Sequence, residues 1–235
     1  MAKVNEDPRH HHRERVRNDF LLHGLEEYEP HRVLELLLFY AIPRKDTKQI
    51  AYRLIQEFGS LKGVFDAPIE LIEKVEGLST SSAILFKMIP QLAKRYYIES
   101  LKVNEALNSP DLLFEYFYPR FIGENTETLY LLTLDSKRRA VKCKKIATGV
   151  TTTEVDVCIN RVLKEIAVSE HSVFVIAHNH PDMEDPIVPS HSDERFTRTL
   201  ATTLRQLDKK LYDHIIISGE NFFSYRICFP NLLGY

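Results

Sequence analysis

A short apolar run that ends in two histidines constrains this chain more than any other feature. Residues 173–177 are strand-forming, and His178, Asn179, His180 and Pro181 follow at once. Because side chains at positions i and i+2 of a strand point to the same face, both imidazoles can approach one ion, while Asn179 points the other way. Pro181 lacks a backbone N–H and ends the strand. The sequence therefore predicts a buried strand that carries a pair of metal ligands at its end.

A third ligand can come from Asp193, which follows a loop and lies near the start of a helix that contains Phe196. Two histidines and one carboxylate leave a fourth position open, which distinguishes a catalytic zinc site from a closed structural one. Structural alternatives remain for each residue. The His-x-His pair also fits a hydrogen-bonded turn before proline, and Ser190 with Asp193 fits a Ser-x-x-Asp capping box.

Further polar residues in this region offer other ligands. The loop before Asp193 contains Asp182, Glu184, Asp185 and His191, which are either solvated charges or alternative ligands. Asp213 and His214 precede an apolar run and could face the site, although a structural contact between histidine and carboxylate is the simpler interpretation.

Composition limits the class of protein. With 235 residues, 44% of them hydrophobic and 27% charged, the chain can bury a sizeable core in one large domain or two small ones. It has no apolar run of membrane-spanning length and no signal-peptide segment, so we expect a cytoplasmic protein without a membrane partner. Cys143, Cys158 and Cys228 are far apart and predict no disulfide framework. The net charge of −2 gives no bulk electrostatic reason for nucleic-acid binding.

Periodicity divides the chain into three segments. Residues 1–20 lack periodic apolar positions and are interpreted as a mobile tail, in which three consecutive histidines (10–12) add solvated charge. Residues 21–103 repeat apolar side chains at helical spacing and predict a bundle of four or five short helices. Residues 104–235 mix helical and strand patterns, so they predict an α+β (α/β-like) domain with a mixed sheet and flanking helices. Breaks in the helical segment fall at Pro43, Gly59, Pro68 and Gly77.

The third segment predicts a definite order of elements. A helix over 111–121 with Ser109 as its cap precedes a strand over 128–134 and an edge strand over 141–146. Then follow a helix around 159–166, the strand 173–177, a helix around 196–204, and strands over 215–217 and 222–225.

Residues 72–83 resemble a helix-hairpin-helix motif, which grips DNA phosphates through backbone N–H groups at a helix N-terminus. Ser79 stands where the motif usually has its second glycine, and a side chain there hinders close approach of a phosphate. A capped αα-hairpin that holds the bundle together is the preferred interpretation, with at most a weak DNA contact through the helical domain.

The residues around the histidine pair resemble the JAMM (MPN-plus) metalloprotease motif, His-x-His-Pro followed by Ser-x-x-Asp, in the form found in the RadC family. The resemblance extends to residues 127–135, Gly149 and residues 213–216. The helical segment is similar too, at 34–37 and 58–61, so the resemblance covers roughly residues 20–235 in the family's usual order.

This resemblance implies a site and a reaction. His178, His180 and Asp193 would bind Zn²⁺, Glu127 would be the general base, and Ser190 would hydrogen-bond the oxyanion of the tetrahedral intermediate. The implied reaction is hydrolysis of a peptide or isopeptide bond in a protein or peptide substrate. The position of Glu127 also suits a general base, because this residue opens a strand expected beside residues 173–177. The structural alternative is a solvent-exposed glutamate at the start of a strand.

The chain departs from the family pattern in two places. The segment between His180 and Asp193 is longer than usual, so His191 and Asp185 are alternatives to Asp193 as the third ligand. The family's Pro-Arg-Glu before the middle helix is missing, and residues 158–161 occupy that region. We expect a zinc-dependent metallopeptidase; the competing hypothesis is a non-catalytic DNA-associated factor in which the JAMM-like domain is a scaffold.

Overall fold

The computed structural model describes residues 8–101, 105–149, 155–181 and 186–234. Contacts divide the chain into two compact units, Met1–Leu92 and Ala93–Tyr235. The division falls within a long helix, whereas the sequence places the boundary after residue 103. Each unit has its own hydrophobic core.

Most of the segment predicted to be a mobile tail is helical. Pro8–His23 form α1, so residues 8–20 are helical, and residues 1–7 lie outside the described part of the chain. Val16 is the apolar anchor of α1, buried against Leu36 and Phe39. A single buried side chain produces no apolar periodicity, which is why the sequence gives no sign of this helix.

Polar contacts complete the attachment of α1. The Arg13 guanidinium donates hydrogen bonds to the carbonyl oxygens of Phe39, Ile42 and Lys45, at the end of the next helix. His12 lies 2.8 Å from the buried carboxylate of Glu35. One of the three consecutive histidines is therefore paired within the fold and does not simply add solvated charge.

The rest of the first unit confirms the predicted helical bundle. Its helices are α2 (Pro30–Ala41), α3 (Lys48–Phe58), α4 (Leu61–Asp66), α5 (Ile69–Ile72) and the part of α6 (Thr80–Ser100) up to Leu92. Each lies between the predicted breaks, and the core is built from the apolar side chains that recur at helical spacing, among them Leu34, Leu38, Ile50, Leu54 and Phe86.

The turn between α5 and α6 is packed into this core. Ile72 and Ala83, on its two sides, are fully buried. Gly77 has φ +97°, and a Cβ at this position would lie 2.8 Å from Cδ1 of Ile50, so both conformation and space require glycine. These contacts are those of a structural αα-hairpin, and DNA binding by this segment stays a prediction.

The second unit is a five-stranded mixed sheet with helices on both faces. Its strands are β1 (Thr128–Leu134), β2 (Ala140–Thr148), β3 (Val173–Asn179), β4 (Lys210–Ser218) and β5 (Asn221–Ser224). Its helices are α7 (Pro110–Phe121), α8 (Val155–Ala167), α9 (His191–Gln206), α10 (Tyr225–Cys228) and α11 (Pro230–Leu233). The strand order is β2-β1-β3-β4-β5, in which only β3 and β4 pair in parallel.

The predicted α+β architecture is confirmed, including Ser109 as the cap of α7 and β2 as an edge strand. One strand is shorter than predicted: β5 ends at Ser224, because the Ser224 hydroxyl accepts the N–H of Ile227 and starts α10. In the parts of the chain that the structure covers, no helix has the length and apolar character to cross a membrane.

The sheet lies between two apolar layers. Alternate side chains of β1 point to opposite faces: Leu129 and Leu131 pack with α8 and α9, while Leu132 and Leu134 pack with α7. The pairing of β1 with β3 sets Leu129 opposite His178. The residues just before β1 and those at the end of β3 therefore meet at one edge of the sheet.

Candidate metal centre

The two histidines at the end of β3 face each other as the strand period predicts. Their Nε2 atoms are 2.9 Å apart, and both side chains are buried. Hydrogen bonds from β4 fix the backbone beyond the strand: the His180 N–H donates to the Ile217 carbonyl at 2.9 Å, and the Ser218 hydroxyl donates to the His180 carbonyl at 2.8 Å. Both imidazoles are thus held by a paired, rigid backbone.

Asp193 reaches the histidines from the N-terminus of α9. Ser190 caps this helix, and both its N–H and its hydroxyl donate to Oδ2 of Asp193, at 2.8 and 2.7 Å. The other carboxylate oxygen, Oδ1, lies 3.2 Å from Nε2 of His178. The lengthened loop therefore does deliver Asp193 to the histidine pair.

Of the alternative ligands in this loop, His191 lies in the described part of the chain, and it takes no part in the cluster. The side chain of His191 is exposed, and the group of possible metal ligands consists of His178, His180 and Asp193. Asp182, Glu184 and Asp185 lie outside the described residues.

The geometry of this group fits a tetrahedral ion. One ligand atom from each of the three residues lies within 4.8 Å of the others. Ligands at about 2.0–2.1 Å from a tetrahedral centre are about 3.3 Å apart, close to the 2.9 and 3.2 Å found around Nε2 of His178. Two imidazole nitrogens and one carboxylate oxygen are also a donor set common in metal sites with an open position.

The surroundings of Asp193 and His180 favour an ionised carboxylate and a neutral imidazole. Burial raises the pKa of Asp193, but the contact with His178 and the hydrogen bond from Ser190 reverse this effect and hold the pKa below its ordinary value. Burial lowers the pKa of His180, and the neighbouring His178 adds to this, against the opposing charge of Asp193. A carboxylate and a neutral imidazole are the forms that bind metal.

Glu127 lies at the open side of the group, directly before β1. Its Oε1 is 3.8 Å from Nε2 of His180, and its side chain is 45% exposed. Burial raises the pKa of Glu127, and the nearby charge of Asp193 acts in the same direction, against His178. The Gly149 N–H donates to the Glu127 carbonyl at 2.7 Å, at a glycine with φ +70°.

The asparagine between the two histidines fixes the segment that carries Glu127. Its side-chain oxygen accepts the Thr128 N–H at 2.8 Å, and its amide donates to the carbonyls of Glu124 and Thr126, both at 3.2 Å. Asn179 thus points away from the histidines, as predicted, and its three hydrogen bonds bracket Glu127 on both sides.

A second layer of side chains lies behind His178. Its Nδ1 is 2.8 Å from Nε2 of His214, whose Nδ1 is 2.6 Å from the Thr197 hydroxyl. The His214 ring also stacks on Tyr225, with the planes at 7° and the centroids 5.0 Å apart. Burial lowers the pKa of His214 far below its ordinary value, so its imidazole is neutral.

Two matches to known proteins bear on the family of this chain. Residues 107–228 match the family model of the RadC-like JAB domain. The chain is also 32% identical over 221 residues to UPF0758 protein FN0909 of Fusobacterium nucleatum subsp. nucleatum, across 91% of this chain and 94% of that relative. The chain belongs to the RadC family. The matched domain contains all five strands and the histidine–aspartate group.

The sequence predicts five site residues for this RadC-family chain, and the structure brings their side chains to one edge of the sheet, while their roles stay predictions: Glu127, His178, His180, Ser190 and Asp193. The sequence does not point to Thr197, and the contact that it predicts for His214, with a carboxylate, is replaced by contacts of the ring with His178 and Thr197. Successive residues of β4 point to opposite faces, so the His214 ring faces His178 while the Asp213 carboxylate lies on the other side. Thr197 could have been noticed, because it lies one helical turn after Asp193.

The Asp213 carboxyl of this RadC domain makes stability depend on pH. Burial raises its pKa from 3.8 to about 6, although Ser224 and the N–H groups of Arg226 and His214 donate to it. Between about pH 4 and pH 6 the folded state binds more protons than the unfolded state, so this group lowers stability as pH rises and has no further effect above pH 6.

Asp213→Asn removes this titration. We compare the free energies of unfolding of the variant and the parent chain. From about pH 4 to pH 7 the value for the variant minus that for the parent is expected to rise by at most about 3 kcal/mol. Urea denaturation of both proteins at the two pH values measures the difference. If the variant and the parent differ in unfolding free energy by the same amount at both pH values, the pKa of Asp213 is not raised.

Proposed function

We propose that this RadC-family chain is a zinc-dependent metallopeptidase that hydrolyses a peptide or isopeptide bond in a protein or peptide substrate in the cytoplasm. The observation that carries the proposal is the convergence of two imidazoles and a carboxylate on one point, with a fourth side chain, that of the acidic Glu127, beside them. A closed structural site would use four protein ligands, whereas the described residues supply three.

Zinc is the metal that we propose, because mixed nitrogen and oxygen donors at tetrahedral spacing suit it. His178 and His180 would hold it through Nε2 and Asp193 through Oδ1. Zinc held by three protein ligands supplies a water whose pKa is about 7, so hydroxide is available at neutral pH.

Glu127 would move the proton. Its carboxylate is close to His180 yet nearly half exposed, so both solvent and substrate can reach it. Its raised pKa makes it a better proton acceptor than an ordinary glutamate, and the same oxygen can then return the proton to the leaving amine. The hydrogen bonds of Asn179 and Gly149 keep the Glu127 backbone in place while it does so.

Ser190 would serve the site in two ways. Its hydroxyl and N–H both hold Oδ2 of Asp193, which leaves Oδ1 directed at the histidines. The capping box and the ligand role of Asp193 are therefore compatible. Because the N–H alone can keep Oδ2 in place, the hydroxyl is free to turn and donate to a developing oxyanion, a contact that stabilises acyl-transfer transition states.

Metal removal tests the proposed function. We expect the purified chain to contain about one zinc per molecule by elemental mass spectrometry. A peptide library analysed by mass spectrometry should show cleavage that stops after chelation and returns with added zinc. Substoichiometric zinc after reconstitution, or cleavage that is indifferent to the chelator, would contradict the proposal. Zinc without any cleavage would favour a scaffold role for the domain.

A further inference from the structure

We propose that Thr197 and His214 are positioning residues that fix the proton of His178 on Nδ1 and so direct its Nε2 lone pair at the metal. The assignment extends the proposed function, because it specifies how the chain presents one of the proposed zinc ligands. It rests on a chain of hydrogen bonds in which each donor can be identified.

The chain of donors starts at Thr197. Its hydroxyl oxygen lies 2.5 Å from the carbonyl oxygen of Asp193. Because a carbonyl can only accept, the Thr197 hydroxyl donates its proton to this hydrogen bond. Towards His214, 2.6 Å away, the Thr197 oxygen can therefore only accept. The proton between these two residues belongs to Nδ1 of His214.

His214 passes this constraint to His178. The His214 ring is 1% exposed, stacks on the Tyr225 ring and has the Phe196 ring 6.2 Å away, so a charged imidazolium there would lose its hydration. A neutral ring with its proton on Nδ1 has an acceptor at Nε2. Nδ1 of His178, 2.8 Å from this acceptor, is then the donor.

The result is the tautomer that a metal needs. With its proton on Nδ1, His178 has Nε2 available at the centre of the cluster, 2.9 Å from His180 and 3.2 Å from Asp193. A ligand histidine usually gives its second N–H to a carboxylate, a carbonyl or water. In this site the neutral imidazole of His214 accepts the N–H of His178. The Thr197 hydroxyl determines which nitrogen of His214 is the acceptor.

The same hydroxyl also joins the two elements that supply the ligands. The Thr197 hydroxyl forms a hydrogen bond with the Asp193 carbonyl, in the first turn of α9. It also forms one with the ring of His214, which in turn contacts His178 on β3. Loss of the hydroxyl should therefore disturb the position of one ligand and the tautomer of another. Outer-shell changes of this kind lower metal affinity by about 10- to 100-fold.

Nitrogen-15 NMR of the histidine rings tests the assignment in the full chain without metal. We expect Nδ1 of His178 to be protonated in the parent protein. Thr197→Val keeps the shape of the side chain but removes donor and acceptor, so the His214 proton should move to Nε2 and the His178 proton should leave Nδ1. Competition with a chelator should show a loss of zinc affinity of about 10- to 100-fold in this variant. Thr197→Ser restores the hydroxyl and should keep both the tautomer and the affinity.

An unprotonated Nδ1 of His178 in the parent chain would overturn the inference, even if the valine variant fails to fold. So would a valine variant with the parent tautomer and the parent zinc affinity. The tautomer is observed without metal, so a parent chain that binds no zinc or cleaves no peptide contradicts the proposed function and leaves this observation intact.

Discussion

Glu127→Gln is expected to leave zinc bound and to lower peptide hydrolysis by about 10²- to 10⁴-fold, the usual contribution of a general base. The amide has nearly the shape of the carboxylate but cannot accept the proton. The ligand group is unaffected, because Glu127 lies outside it, 3.8 Å from the nearest ligand nitrogen. Elemental analysis and the rate of cleavage of any peptide found in the library measure the two effects separately.

Glu194→Gln is the matched control. Glu194 follows the proposed ligand Asp193 on α9, yet its carboxylate is half exposed and pairs with Arg198. This change removes one negative charge close to the ligands in sequence, so it should leave both zinc content and hydrolysis near the parent values. Equal losses of hydrolysis in the two variants would show that net charge, and not proton transfer by Glu127, controls the rate.

The part of this site that is local in sequence could be predicted. Alternation along β3 places His178 and His180 on one face, whatever the rest of the chain does, and the strand-forming composition of 173–179 ensures the strand. Alternation along a strand does not place Asp193, because a loop precedes it in the sequence. The sequence offered capping and metal binding as alternatives, but the structure combines them, since each carboxylate oxygen serves one purpose.

The part that depends on long-range pairing could not be predicted. Asn179 holds the Glu127 segment only because β1 pairs with β3 in a register that sets Leu129 opposite His178. His214 faces His178 because β4 lies parallel beside β3 in its own register. Neither register follows from composition or periodicity, since strands far apart in the chain must first be brought together.

Helix α1 was missed for a related reason. Its attachment depends on Arg13, on His12 with Glu35, and on a single apolar side chain. Such polar contacts with distant residues leave no period in the sequence, whereas α2 and α3 could be recognised from their apolar stripes.

His180→Ala is expected to abolish stoichiometric zinc binding. The change removes one of the three proposed ligands, so the loss of affinity should exceed the 10- to 100-fold cost of losing an outer-shell partner. The backbone hydrogen bonds of His180 to Ile217 and Ser218 do not involve its ring, and the variant should therefore keep the sheet. Zinc titration against a competing chelator, with circular dichroism as a check of folding, measures the effect.

His191→Ala separates a specific ligand from a histidine that is merely close in sequence. His191 begins α9, two residues before Asp193, and its side chain is exposed. Its removal should leave zinc affinity unchanged, because Asp193 already occupies the third position beside the histidine pair. Zinc that persists in His180→Ala but is lost in His191→Ala would mean that the exposed histidine, delivered by the lengthened loop, is the true ligand and that the geometry around Asp193 serves only to cap the helix.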